Sequence, residues 1–435
     1  MDPILLAALG MVVMFALIIL HVPIGIAMIV VGVGGFFMLS GQGPALSLLA
    51  VEPAGVMSNS DLAVVPLFLL MGSFATVSGL SADIYRLAYA FIGHLRGGLA
   101  LATIGGCALF GAICGSSPAT AATFGRVALP EMLRRGYSKS FATGTIAAGG
   151  TLGSMVPPSV IMVIYAVIAE VFILDLFVAA VVPAIIAVVL HLTVVNIYVR
   201  LAPGAAPAGQ KSTWPERWAA VRRSWGVVVL IGTVFGGIYG GIFTVNEAAA
   251  VGAGMAFLFA LLGGNMTWET FWKTLMETAS NTAMIYLIIF GAQIFIYFLT
   301  LTHAPTAMVA AINAMQLPPL AVLLVLLIIY IILGSIFDTV SALVITTPFV
   351  LPLILSMGYD PVWWGIIMVV VVELGMITPP IGINVFVLHG IAKDIPLGTI
   401  FRGVTPFAIS DTIRLALLTL FPALVLWWPS FVRGL

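Results

Sequence analysis

Charge is the scarcest property of this sequence. Only 7% of its 435 residues are Asp, Glu, Lys or Arg, whereas a soluble domain carries about 25%. Hydrophobic residues make up 62% of the chain, and apolar runs of roughly 15–20 residues recur from end to end. The formal net charge is zero, which argues against a nucleic-acid partner. We therefore predict an all-α polytopic membrane protein embedded in a lipid bilayer.

Cysteine is nearly absent as well. The two cysteines, Cys107 and Cys114, lie in one apolar run, at a spacing that favours packing over a disulfide and matches no metal-ligand motif. The first residues, Met-Asp-Pro, lack the basic region and the small-residue cleavage site of a signal peptide. We therefore expect the first apolar run to be a retained membrane span.

Two polar stretches interrupt apolar segments, and their surroundings match. The first is Gly-Ser-Ser-Pro at 115–118, and the second is Gly-Ser-Ile-Phe-Asp-Thr at 334–339. Each is followed by a Gly-Tyr pair, and a Pro-Pro pair begins 21 residues beyond that glycine, at 157–158 and at 379–380. This matched spacing indicates an internal repeat.

The polar stretches predict helical hairpins, and the proline pairs predict broken helices. The apolar arms beside the first stretch are near or below the ~20 residues that a crossing usually needs, and the turn between them is polar. We predict two re-entrant hairpins, at about 97–133 and 319–356. Proline removes an amide donor and clashes with the preceding turn, so we predict broken helices at about 140–170 and 361–391.

The hydrophilic segment 201–224 divides the chain into a first half, 1–200, and a second half, 225–435. Lys and Arg cluster in alternate loops, which are predicted to be cytoplasmic. An odd number of predicted crossings separates the hairpins, so the first hairpin opens to the cytoplasm and the second to the outside. Inverted-topology repeats with paired broken helices are found in secondary transporters.

The remaining spans flank these repeated elements. A short amphipathic helix is predicted to begin with an N-cap at Ser81-Ala82-Asp83 and to lie at the interface. Segment 41–60 is expected to be a mixed loop, and segment 265–280 is amphipathic. Further spans are predicted at about 4–20, 24–40, 62–79, 174–199, 226–243, 247–262, 282–300 and 405–428.

Hairpin tips and broken helices expose backbone groups that can bind ions. Proline keeps its carbonyl acceptor and donates nothing, which favours cations at the breaks. Na⁺ prefers several such oxygens together with a hydroxyl or a carboxylate. The polar side chains suited to this are Ser116, Ser117, Ser335, Asp338, Thr339 and Thr378. The amide ends of the same helices, with Thr120 and Asn384, are suited to an anionic substrate.

Close packing is the alternative explanation for these small polar residues, because Ser, Thr and Gly also let membrane helices approach each other. For any single residue this explanation is as good as a functional one. Packing does not require helix breaks at matched positions in two halves, so the breaks taken together favour function.

Rare intramembrane charges are candidates for function by default. Asp338, at the second tip, is favoured as an ion ligand. Arg126 either attracts an anionic substrate or extends to the cytoplasmic face, and Glu373 either forms a structural pair or acts as a gate. Asp411 and Arg414 are three residues apart and are predicted to form a local ion pair.

The motifs resemble those of the large membrane subunit of TRAP (tripartite ATP-independent periplasmic) transporters. They occupy 115–125, 127–132, 149–159, 246–253, 334–339, 345–348 and 377–384, and the resemblance runs over nearly the whole chain. It implies an elevator-type, Na⁺-driven importer of organic acids in the bacterial inner membrane. It also implies two partners, a soluble periplasmic substrate-binding protein and a small membrane subunit, which we expect to be a separate chain.

The resemblance also implies where ions and substrate bind, with the substrate between the two tips. One Na⁺ site would involve Ser116 and Ser117 with the carbonyls of Gly153, Val156 and Pro158. The other would involve Ser335, Asp338 and Thr339 with Gly375, Thr378 and Pro380. The candidate substrate-binding residues are Ser117, Pro118, Thr120, Arg126 and Asn384.

Three other functions compete with this hypothesis. A one-component Na⁺/dicarboxylate or citrate-type carrier would share the hairpins and work without a binding protein. An intramembrane enzyme would need a paired-Asp, Ser-His or metal constellation, and Asp338 has no Asp in the matching motif. A passive channel would not need two inverted broken helices.

Overall fold

The computed structural model describes residues 2–433, and its regular elements are helices. Within this range no β-strand forms, and one isolated bridge joins Arg96 to Ala208. Seven of the described helices are long and apolar enough to cross a membrane, or up to nine if each bent pair counts as one span. The predicted all-α polytopic fold is therefore confirmed.

Eleven helices form the first half of the chain, with a short 3₁₀ turn at Ser60–Ala63. They are α1 (Pro3–Ile19), α2 (Ile24–Ser40), α3 (Gln42–Ser58), α4 (Val64–Val77), α5 (Leu80–Ile92), α6 (Gly98–Cys114), α7 (Ser117–Val127), α8 (Leu129–Arg134), α9 (Lys139–Met155), α10 (Val160–Ala169) and α11 (Ile173–Leu201). The second half, with the segment before it, adds α12 (Trp214–Arg223), α13 (Trp225–Tyr239), α14 (Val245–Leu262), α15 (Trp268–Thr302), α16 (Ala304–Ala314), α17 (Pro319–Ile336), α18 (Thr339–Ser356), α19 (Pro361–Gly375), α20 (Ile383–Ile391), α21 (Leu397–Leu420) and α22 (Ala423–Arg433).

Both predicted hairpins and both predicted broken helices are present. In the first hairpin α6 runs in and α7 with α8 runs back, while α17 and α18 form the second. The first broken helix consists of α9 and α10, which are bent by 43° at their break. The second consists of α19 and α20, separated by the irregular segment 376–382. The first broken helix, α11, α13, α14 and α15 lie between the hairpins, which is the helix order from which an odd number of crossings was predicted.

The second hairpin tip differs in register from the prediction. Gly334 and Ser335 lie inside α17, which continues to Ile336, so the turn consists of Phe337 and Asp338. Gly334 serves a helix contact and not a turn, because a Cβ atom there would lie 2.7 Å from the Val372 carbonyl oxygen of α19. The structural equivalent of Ser116 is therefore Asp338 and not Ser335.

Two expectations near the start of the chain were wrong. Segment 41–60 is mostly the helix α3, which contains Pro53, and is not a loop. The N-cap of α5 is Gly79 and not a residue of the Ser81-Ala82-Asp83 stretch. Gly79 has a φ of +83°, a left-handed conformation that glycine adopts without steric cost. α5 therefore begins at Leu80, one residue before Ser81, which is buried.

Two boundaries in the second half also differ. The amphipathic segment 265–280 and the span 282–300 belong to one continuous helix, α15. The last span, predicted at 405–428, is α21, and a second helix, α22, follows it. The chain breaks between them at Phe421-Pro422, because proline cannot continue the hydrogen-bond ladder of α21.

The first broken helix is held tightly against α21 of the other half. Gly144 of α9 and Gly403 of α21 face each other so closely that a Cβ atom on either would overlap the opposite backbone. Such contacts let membrane helices pack without intervening side chains. Cys107 and Cys114, on the neighbouring α6, are both buried, which fits the packing role that their spacing favoured.

Replacing Gly403 with alanine is expected to destabilise the protein by about 1–3 kcal/mol, because the added methyl group must push α9 and α21 apart. Thermal unfolding in detergent measures this change. Gly398→Ala is the matched control on the same helix, since a Cβ atom there meets nothing within 4 Å. Equal melting temperatures for the two variants would contradict the tight crossing.

Candidate functional site

The first hairpin tip lies directly against the first helix break. Gly115 has a φ of +62°, and a Cβ atom on it would lie 2.9 Å from the carbonyl oxygen of Pro158. Only glycine fits this left-handed turn so close to another backbone. At the start of α7, the Ser117 amide donates to Ser154 Oγ at 2.9 Å. The tip and the break therefore form one polar cluster.

Most of the first predicted ion site is brought together in this cluster. A Cβ atom on Gly153 would lie 2.6 Å from the Ser116 carbonyl oxygen, and the Thr120 hydroxyl also faces Gly153. The Pro158 carbonyl borders the same turn through Gly115. Val156 lies in the break itself. The groups that could coordinate a cation in this cluster are carbonyl and hydroxyl oxygens.

The second tip contacts the second break in a similar way. The Gly382 amide donates to the Ser335 carbonyl at 3.0 Å. A Cβ atom on Gly375 would lie 2.6 Å from the carbonyl carbon of Gly334, and the Thr378 hydroxyl donates to the Gly375 carbonyl at 3.1 Å. Pro380 lies in this break and is exposed.

Asp338 is the N-cap of α18. Its Oδ2 accepts hydrogen bonds from the amides of Val340 and Ser341, at 3.1 and 3.2 Å, and the Ser341 hydroxyl donates to Oδ1. A carboxylate at this position satisfies otherwise unpaired amides and interacts favourably with the helix dipole. Asp338 thus has a structural role at the tip, in addition to the ion-binding role predicted for it.

Asn384 connects the second half to the first tip. It lies near the start of α20, is fully buried, and donates through Nδ2 to Ser117 Oγ at 2.9 Å and to the Ala147 carbonyl at 3.3 Å. Its Oδ1 has no partner among the described residues, and neither does Oγ of the buried Ser159. Both residues lie beside the first tip, Asn384 through its bond to Ser117 and Ser159 through its contact with Gly115, and Oγ1 of Thr120 beside them has no partner among the described residues either.

Glu373 lies where the two tips converge, and the sequence pattern gave it no definite role. This carboxylate on α19 is only 1% exposed. The Thr339 hydroxyl of the second tip donates to it at 3.3 Å. The hydroxyls of Ser117 and Ser154, from the first tip and the first break, face the same carboxylate. No Lys or Arg of the described residues lies within salt-bridge distance of it.

Arg126 is not brought to the tips. It is exposed in the last turn of α7, nine residues beyond Ser117, or about 14 Å along a helix axis. This position suits a side chain that extends to the membrane surface. Pro118, by contrast, lies in the first turn of α7 beside the tip, where its missing amide costs no helical hydrogen bond.

The predicted ion pair of Asp411 and Arg414 is confirmed, with an Arg414 Nη2 to Asp411 Oδ1 distance of 3.1 Å. His191 of α11 contacts the same carboxylate oxygen through Nε2 at 3.1 Å. All three side chains are buried. The cluster joins α11 to α21, the last long helices of the two halves, and the charge of Arg414 also acts on Glu373.

The family model for the DctM component of tripartite ATP-independent periplasmic transporters matches residues 11–424. The chain belongs to this DctM family. A C4-dicarboxylate TRAP transporter large permease protein from Pseudomonas aeruginosa is 35% identical to it over 404 residues, covering 90% of this chain and 94% of that protein. An ectoine TRAP transporter large permease protein from Halomonas elongata is 31% identical over 416 residues, covering 95% and 96%.

The DctM fold also resembles a solved transporter structure. The YdaH transporter of Alcanivorax borkumensis superposes with a TM-score of 0.59 over 88% of this chain and 89% of that one. At 15% identity this likeness concerns the fold alone. As a DctM-family permease, the chain is a transporter subunit and not an enzyme, and it is a multi-pass protein of the bacterial inner membrane.

Proposed function

We propose that this chain is the large permease subunit of a Na⁺-coupled importer of organic acids that works by an elevator motion. The observation that carries the proposal is the convergence of both hairpin tips on Glu373 and Asn384. Ser117 and Ser154 come from one half, and Thr339 with Asn384 from the other. One binding region built by two repeats is the arrangement expected for an alternating-access carrier.

A carboxylate substrate suits the groups at the tips. The N-termini of α7 and α18 present amides and partial positive charge. The unpaired Asn384 Oδ1 and Ser159 Oγ add polar contacts next to the first tip. The two relatives described above are named for C4-dicarboxylates and for ectoine, so the shared tips are compatible with small polar solutes that differ in shape.

The oxygen atoms that surround the tips and breaks are suitable ligands for Na⁺. At the first cluster the carbonyls of Ser116 and Pro158 and the hydroxyl of Ser117 are oxygen donors, which a hard monovalent cation prefers. At the second, Asp338 adds a carboxylate. We infer that these two clusters take the coupling ions, and that Asp338 supplies the charge at the second.

An elevator motion is supported by how the helices associate. The hairpins and broken helices pack on one another, for example α7 on α9 and α17 on α19, and α21 packs tightly against α9 and belongs to the same group. The helices outside the repeats form other close pairs, α2 with α15 and α4 with α14. We propose that the first group moves against the second and carries the substrate between the tips.

The family is tripartite, so the chain acts with a substrate-binding protein and a small membrane subunit. We propose to reconstitute it with that small subunit in proteoliposomes and to add the binding protein, loaded with a labelled organic acid, outside. Uptake is expected to require both the binding protein and an inward Na⁺ gradient, with K⁺ in place of Na⁺ as the control. Na⁺-driven uptake without the binding protein would indicate a one-component carrier. Uptake that depends on neither the binding protein nor the Na⁺ gradient would indicate a passive path.

A further inference from the structure

A polar pocket lies at the base of the first hairpin, at the opposite end of its return arm from the tip. Its volume is about 620 Å³. It is lined by α5, by the segment 210–213, by α12 and by Arg135, which follows α8. None of these residues belongs to the tips or breaks, so the pocket is separate from the proposed transport site.

Positive charge exceeds negative charge in this pocket. Four basic residues, Arg86, Arg135, Lys211 and Arg223, line it against two acidic ones, Asp83 and Glu216. Asp83 Oδ1 is shared by Arg86 at 3.2 Å and Arg223 at 2.9 Å, so it offsets only one of those two charges.

The other acidic groups do not neutralise the excess positive charge of the pocket. Glu131, beside the pocket, binds both Arg134 and Arg135. Glu216 is engaged by the Thr213 amide at 2.7 Å in a capping box. No salt bridge to Lys211 is found among the described residues. The pocket therefore offers unneutralised cationic groups to an anion.

The helix beside the pocket has the character of the membrane–water interface. α12 has no buried residue, and Trp214 and Trp218 are 74% and 70% exposed. Trp225, at the start of α13, is 54% exposed. Tryptophan is enriched at the level of lipid headgroups, and the basic residues place this level on the cytoplasmic face.

We propose that this pocket binds the headgroup of an anionic phospholipid of the cytoplasmic leaflet. Basic pockets at this depth attract anionic headgroups, and each nearby Lys or Arg strengthens that attraction. A lipid is favoured over a soluble anion because α12 lines the pocket with one face and exposes Trp214 and Trp218 on its opposite face. Tryptophans exposed in this way set the helix, and with it the pocket, at the depth of the lipid headgroups. Arg135 ends the hairpin arm and α5 lies outside it, so the headgroup bridges the two. An effect on transport rests on the proposed elevator motion, whereas binding does not.

Binding is tested on the purified full-length chain by native mass spectrometry, with titration of phosphatidylglycerol, phosphatidylcholine or inorganic phosphate. We expect one saturable phosphatidylglycerol. Lys211→Gln and Arg223→Gln are each expected to weaken it about fivefold. Arg222→Gln is the matched control, because Arg222 is exposed on the same helix but does not line the pocket, and it should have little effect.

Three results would overturn the proposal. Phosphatidylcholine binding as tightly as phosphatidylglycerol would remove the role of charge. An equal loss in the Arg222 and Arg223 variants would show diffuse attraction and no pocket. Inorganic phosphate displacing the lipid at equal concentration would identify a soluble anion as the ligand. All three are measured without transport, so they stand apart from a failure of the proposed importer.

Discussion

Asp338→Asn is expected to lower Na⁺-dependent uptake at least about 10–100-fold, the loss typical of a disturbed metal site, while the protein stays folded. The carboxylate accepts two amide hydrogen bonds at the start of α18, and asparagine caps helices about as well as aspartate does. The substitution therefore removes the charge and keeps the cap. Asp338→Ala removes both, and it should also cost about 1 kcal/mol of stability.

Asp360→Asn is the matched control for this experiment. Asp360 caps α19 through hydrogen bonds to the amides of Val362 and Trp363, at 2.7 and 3.1 Å, and it lies outside both proposed ion sites. Uptake, its dependence on Na⁺ concentration and the melting temperature are measured for each variant. If Asp338→Asn transports normally with an unchanged Na⁺ dependence, Asp338 is a cap and nothing more.

The features that could be predicted from the sequence depend on local chemistry. Proline pairs break helices wherever they occur, and the small polar stretches end apolar runs, so the hairpins and broken helices were placed correctly. Arg414 and Asp411 pair within one helix turn, which fixed spacing makes predictable. These signals need no knowledge of what packs against them.

The features that were missed depend on contacts between distant residues. The hydrogen bond from Asn384 to Ser117 joins residues 267 positions apart, and the position of Glu373 between the tips follows from the same convergence. Gly334 was interpreted as a turn residue because glycine permits both turns and close helix contacts. The close approach of the Val372 backbone shows that Gly334 serves a helix contact and not a turn, and this contact is visible only in the structure.

Some helix boundaries were predicted wrongly for a related reason. The amphipathic and apolar parts of α15 differ in composition, but a backbone ladder continues through such a change when nothing breaks it. Segment 41–60 was predicted to be a loop, although its residues 42–58 form the helix α3, which accommodates Pro53. Composition predicts whether a segment prefers lipid, protein or water around it, but it predicts the residue at which a helix ends less accurately.

Glu373→Gln is the second substitution expected to have a large effect. The carboxylate is buried between the hydroxyls of both tips, and a neutral amide of the same shape cannot supply negative charge between the two proposed ion clusters. We expect uptake to fall about 10–100-fold, measured in the same proteoliposomes. Glu373→Asp keeps the charge on a shorter side chain and is expected to retain part of the uptake.

Stability separates this effect from simple damage to the fold. A buried carboxylate that no described Lys or Arg approaches within salt-bridge distance costs free energy, even with the charge of Arg414 nearby. The Gln variant should therefore melt at the same temperature as the parent protein or above it. Lost uptake in a protein that is at least as stable would mean that the charge of Glu373 serves transport. Normal uptake in the Gln variant would mean that the hydroxyls of Ser117, Ser154 and Thr339 need only a hydrogen-bond acceptor, and that the two tips are coupled by packing alone.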